Sequence, residues 1–218
     1  MDLLLKNQIN LKRFASIVVL WAFQVAALIG ISLGYFEWFI SKTELNLMII
    51  AVLLAINFPV NSLKRIGFFV AIFMSGFFLE WLGVNYGLFF GDYAYGENLG
   101  YKLGGVPLLI GINWAVLIMS CAAIVDRLKV HYLFKSIIGA GLMVLLDFFI
   151  ELPAPVFDFW EFEGGEAPID NYVAWYLISF FMILGYQKLK VKGDFIFSCH
   201  LYTAQLIFFA FFYVAYSL

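Results

Sequence analysis

Residues 137–152 read IIGAGLMVLLDFFIEL, and residues 68–84 read FFVAIFMSGFFLEWLGV. Both are apolar runs of helical length broken by acids: Asp147 and Glu151 in the first, Glu80 in the second. Neither run contains a basic residue to neutralise them. A charged acid near the centre of a bilayer costs about 2.5–3.5 kcal/mol on insertion scales, so acids placed this way are as a rule functional and turn toward the protein interior. Two such stretches in one chain point to a helical membrane protein with a polar site inside it.

The remaining sequence agrees. Of 218 residues, 64% are hydrophobic and 20% aromatic, and only 13% are charged, against about 25% charged in a soluble domain. The chain reads as an all-α, polytopic membrane protein forming one domain over residues 1–218. The net charge of −2 is uninformative, but no basic patch or basic helix is present to hold phosphates, which excludes nucleic acid as a partner. Cys121 and Cys199 both lie in apolar segments without a second cysteine nearby, and are expected to be small buried packing residues. The basic N-terminus MDLLLKNQINLKR precedes an apolar stretch, Phe14 to Tyr35. That stretch is long enough to span and lacks a small-residue cleavage site, so it is expected to stay as a helix.

A spanning helix needs about 20 apolar residues, which gives seven candidate segments: 14–36, 45–63, 66–84, 105–125, 134–152, 172–187 and 195–217. The second holds Asn57 and Pro59 and is expected to kink or end early there. Eleven of the thirteen Lys and Arg residues fall in the N-terminal tail and in the second, fourth and sixth connections. The positive-inside rule then puts the N-terminus in the cytoplasm and the C-terminus outside, which favours an odd number of spans. The third and fifth segments run outward, so Glu80, Asp147 and Glu151 approach the outer face of the cell membrane. The two long connections there add Asp92, Glu97, Asp158, Glu161, Glu163, Glu166 and Asp170.

Asp147 and Glu151 are four residues apart, so they share one face of a helix, about 6 Å apart along its axis. Glu80 joins them if the third and fifth segments are neighbours. A carboxyl group in a low-dielectric site without a cation keeps its proton and suits general-acid work, while a wetter carboxylate serves as base. The plainer reading is that these acids only fix helix packing through hydrogen bonds. Tyr93, Tyr95, Trp81, Trp114, Trp160 and Trp175 fall at the same level, either as an interfacial aromatic belt or as a pocket whose π faces stabilise a cation. The glycines from Gly83 to Gly105 predict a tightly folded re-entrant loop.

Two familiar alternatives fail on particular residues. A retinal protein needs a Schiff-base lysine in its last helix, and residues 194–218 contain none. A prenyltransferase binding a diphosphate needs Arg or Lys beside its acids, and the outer connections have almost none. His200 lies toward the cytoplasmic end, away from the acids, and is expected to be packed or hydrogen-bonded there.

The order Glu80-Trp81-Leu82-Gly83, Phe90-Gly91-Asp92-Tyr93-Ala94-Tyr95, Leu99-Gly100, Gly105-Val106-Pro107 and Trp114 resembles the carotenoid hydratase family of membrane proteins. The second half agrees through Asp147, Glu151, Ala154, Trp160, Pro168, Asn171 and Trp175. The resemblance covers residues 66–180. The chain departs from the family pattern at Phe89, Leu152 and Glu166-Ala167, which leaves the acids intact. The resemblance implies addition of water to the terminal double bond of an acyclic carotenoid end, giving a tertiary alcohol, with no redox cofactor or metal. For that chemistry Asp147, the deeper acid of its helix, is the expected proton donor, with Glu151, one turn nearer water, and Glu80 as candidates for base and cation stabiliser; an exchange of these roles stays open. Asp92, Tyr93, Tyr95, Trp114, Trp160, Asn171 and Trp175 would line the substrate site. A carotenoid and the surrounding lipid are the expected partners. A proton-initiated end-group cyclase, a proton-coupled transporter and a pigment-binding scaffold stay open as other readings.

Overall fold

The computed structural model describes residues 2–58 and 62–218. Among them are nine helices: α1 (Asp2–Ser32), α2 (Phe36–Ile40), α3 (Thr43–Asn57), α4 (Leu63–Tyr86), α5 (Leu108–Asp126), α6 (Tyr132–Glu151), α7 (Pro153–Val156), α8 (Ile169–Lys188) and α9 (Phe195–Ser217). Six of these, α1, α4, α5, α6, α8 and α9, are long and apolar enough to cross a membrane. The protein is thus all-α and polytopic. The second expected span is the exception. Its helix α3 has 15 residues, about 22 Å at 1.5 Å per residue, short of a bilayer core of about 30 Å. It stops at Asn57, whose side-chain amide folds back onto the Leu53 carbonyl at 2.8 Å. Pro59 lies outside the described residues. The short helix still packs inside the bundle, against α1, α5 and α9.

The bundle is built around α5, which packs on α3, α4, α6, α8 and α9 and is buried along most of its length. Two sets of side-chain contacts fix the direction of its neighbours. Glu80, near the end of α4, meets Trp114, near the start of α5. Asp147 and Glu151, at the end of α6, meet Asn171, at the start of α8. Each pair is therefore antiparallel, and all three acids come to one end of the bundle. The opposite end gathers basic residues. Arg13 pairs with Asp194 at 2.6 Å, and Lys135 and Lys192 both reach Asp126, at 3.4 Å and 2.8 Å. His200 belongs to this half, accepting from Trp21 Nε1 at 3.1 Å. Cys121 is buried as expected, whereas Cys199 is only half-buried, and neither is in a disulfide.

The glycine-rich third connection, expected as a tightly folded loop, contains short strands. Its strand β1 (Tyr93–Tyr95) pairs antiparallel with a strand of the fifth connection, Trp160–Phe162, in the register Tyr93–Phe162, Ala94–Glu161 and Tyr95–Trp160. With β2 (Lys102–Leu103) and β3 (Val106–Pro107) forming their own small hairpin, the Trp160–Phe162 strand is β4. A further tie joins the connections: Asp158, in the left-handed region at φ 54°, accepts from the Glu97 backbone N–H at 2.8 Å. An acidic residue tolerates that conformation better than a branched one would. The two connections thus fold together as a single cap over the acidic end of the bundle.

A carboxylate cluster under the cap

Alternation along β1 decides which residues enter the site. Successive side chains of a strand point to opposite faces, so Tyr93 and Tyr95 face the helices while Ala94 is exposed. Asp92 is exposed too; it gives its backbone carbonyl to Glu163, and its side chain stands apart from the acid cluster. The sequence grouped it with the tyrosines because of adjacency; the pleat separates them.

Glu80 is 3% exposed and holds three donors. Trp114 Nε1 donates to one carboxylate oxygen at 2.8 Å. The hydroxyls of Tyr95, at 2.7 Å, and Tyr93 both donate to the other. Burial first, and then the neighbouring Glu80 charge, push both phenols well above their ordinary value, so each stays protonated and able to donate. The approach of these rings depends on small residues on the same face of α4. Gly76, Glu80 and Gly83 are spaced by four and three, so they align. A Cβ at Gly76 would sit 2.6 Å from Trp114 Cγ, and one at Gly83 would sit 2.8 Å from the Tyr93 hydroxyl. Gly76→Ala is therefore expected to destabilise the protein by about 1–3 kcal/mol, the usual range for overpacking. A thermal melt in detergent should fall, and tryptophan fluorescence should shift as Trp114 leaves Glu80.

The second half of the cluster lies on α6, α8 and β4. The Asn171 side-chain amide donates to Asp147 at 3.0 Å and to Glu151 at 2.9 Å, bridging the two acids through one nitrogen. Trp160 Nε1 donates to the other Glu151 oxygen at 2.9 Å. Asp147 is 1% exposed, and its Oδ1 is buried with no donor directed at it among the described residues. The Asp147 and Glu151 carboxyl groups are also within hydrogen-bond reach of each other.

The helices carrying these halves are not chiefly in contact with each other, as the sequence required for the acids to meet. Helices α4 and α6 each pack against α5, and aromatic rings carry the connection instead. Trp114 stacks on Trp175 at 4.2 Å, and Tyr95 meets Trp160 edge-on at 6.2 Å. Trp175 follows Asn171 by one turn of α8. So Glu80, Asp147, Glu151, Tyr93, Tyr95, Trp114, Trp160, Asn171 and Trp175 form one assembly. Trp81 does not join it, stacking instead on Phe78 and meeting Tyr86 edge-on.

Beside this assembly is a cavity of about 430 Å³, between α1, α2, α3, α5 and α9. That is within the usual range for small-molecule sites. Its lining is predominantly Phe, Leu, Ile and Ala, and it includes Ile150, the residue before Glu151, and Trp160, whose indole donates to Glu151. Phe23, Trp38 and Leu45 line it and are also exposed on the outside of the bundle, so it opens sideways among residues that would face lipid. The sequence reading missed this cavity, and with it Gln24, Asn113 and Gln205, polar residues inside apolar segments that the same depth argument would have singled out.

A family model described as carotenoid biosynthesis protein matches residues 41–218, which takes in the whole cluster and leaves out α1 and α2. No curated protein and no solved structure matches the chain.

Proposed function

The chain belongs to the carotenoid biosynthesis protein family, and on that footing we propose that it is a carotenoid hydratase working by acid catalysis, with its site toward the outer face of the cell membrane. The observation that carries this reading is the Asp147–Glu151 pair: two carboxyl groups bridged by Asn171, with no cation against them among the described residues, near an apolar cavity lined in part by the neighbouring Ile150 and by Trp160, the indole that donates to Glu151. Two like charges at this distance, out of water, oppose each other, and a single shared proton removes the conflict. Asp147 Oδ1, which has no other donor, is the natural place for that proton.

The steps follow from this arrangement. An acyclic carotenoid end enters sideways between α1, α2 and α3. Asp147 delivers its proton to the less substituted carbon of the terminal double bond, leaving a tertiary cation. Glu80, positioned by three donors, and the π faces of Trp114, Trp160 and Trp175 stabilise that cation. A water molecule adds to it while Glu151 takes up the released proton, and the pair returns to its starting state. The product is a tertiary alcohol, and no proton is gained or lost overall.

Expression in a bacterial host that makes lycopene or γ-carotene, followed by mass analysis of the pigments, tests the reading. The expected result is a pigment heavier by one water. An isomer of unchanged mass would instead indicate end-group cyclisation, which shares the first step and excludes water. Unchanged pigment from a well-expressed chain would overturn both.

A further inference from the structure

The cavity is mostly apolar; besides Lys42 at its rim and Thr43, whose hydroxyl donates to the Ile40 carbonyl, its polar side chains are mainly neutral amides. Gln24 of α1, Asn46 of α3, Asn113 of α5 and Gln205 of α9 all line it. Gln24 and Gln205 are more than nine-tenths buried, and the amide oxygens of Asn46 and Gln205 are buried without a donor among the described residues. Polar groups out of water are costly when unpaired, and in folded proteins nearly all of them find a partner. Two buried amide oxygens, Asn46 Oδ1 and Gln205 Oε1, therefore require a donor that the described residues do not supply, and the Gln24 and Asn113 amides stand around the same void.

The chemistry of the lining narrows what that partner is. Among the described residues the one charged side chain in the lining is Lys42, which is exposed at the rim and sits over the Trp38 ring, 5.9 Å from its centroid. A phosphate or carboxylate would find no buried cation here. A hydrocarbon alone would leave the amides unsatisfied. An uncharged hydroxyl both donates and accepts, as amides do, and a lipophilic skeleton fills the rest. We propose that this cavity is a binding site for a polyisoprenoid carrying a hydroxyl group, and that Gln24, Asn46, Asn113 and Gln205 receive its oxygen. The identity of the skeleton rests on the carotenoid reading above. On that reading the tertiary alcohol is itself such a ligand, so the site holds the reaction's product more tightly than its substrate.

Equilibrium binding tests this without turnover. The full chain carrying Asp147→Asn, in lipid nanodiscs, is titrated with lycopene and with its 1-hydroxy derivative, following quenching of the tryptophan fluorescence. The hydroxylated polyene is expected to bind about tenfold tighter, as one or two net hydrogen bonds would give. Adding Gln205→Leu should erase that preference while leaving lycopene binding unchanged, which also shows that the variant is folded. Asn113→Leu, at a less buried position, should reduce the preference in the same direction. Equal affinity for the two polyenes in the parent chain would overturn the proposal and leave the amides as holders of water. So would a preference that survives both substitutions. A wild-type chain that hydrates nothing but keeps the preference would count against the hydratase reading alone.

Discussion

Replacing Asp147 by Asn should lower carotenoid hydration by at least about a hundredfold, since a positioned general acid contributes roughly 10²–10⁴ in rate. The substitution is close to isosteric, so the loss can be assigned to chemistry. An amide at position 147 accepts from Asn171 through its oxygen and donates to Glu151 through its nitrogen, filling the contacts of the native pair. What it lacks is a transferable proton. The melting temperature in detergent should therefore change little while turnover disappears. If turnover persists, Asp147 is not the donor. If stability and turnover fall together, the pair is a packing device.

The acids were legible in the sequence because charge in an apolar run is rare and costly. Helical segments of full length were legible for a similar reason, being set by the thickness of a bilayer. The parts that were not legible lack such a physical signature. Strands of three residues such as Tyr93–Tyr95 are too short to show an alternating pattern, so their pairing with Trp160–Phe162 left no trace in either connection. Hydropathy also gives no information on which helices touch. That α5 stands between α4 and α6, with Trp114 and Trp175 carrying the contact, follows from packing across the chain. The amides around the cavity were overlooked because neutral polar residues are tolerated in membrane helices more readily than acids, and so stand out less.

Glu80 separates bracing from chemistry most sharply. Glu80→Leu removes the acceptor for Trp114, Tyr93 and Tyr95 together. The two phenols can turn toward water at the cap, but the Trp114 indole, 1% exposed, cannot. A stranded buried donor costs about 1–3 kcal/mol, and the Tyr93–Tyr95 strand loses its anchor as well. The expected destabilisation is about 3 kcal/mol, read as a large drop in the detergent melt with loosening of both outer connections in limited proteolysis. Glu80→Gln is the informative contrast. Its amide oxygen still accepts from Trp114, and its amide nitrogen can donate to a rotated phenol, so most of the stability should be retained. The negative charge is gone, however. If Glu80 holds the tertiary cation, Glu80→Gln should cost turnover heavily in a protein that melts almost normally. If Glu80 only braces the cap, the same variant should turn over at close to the native rate, and cation stabilisation would pass to the indole faces alone.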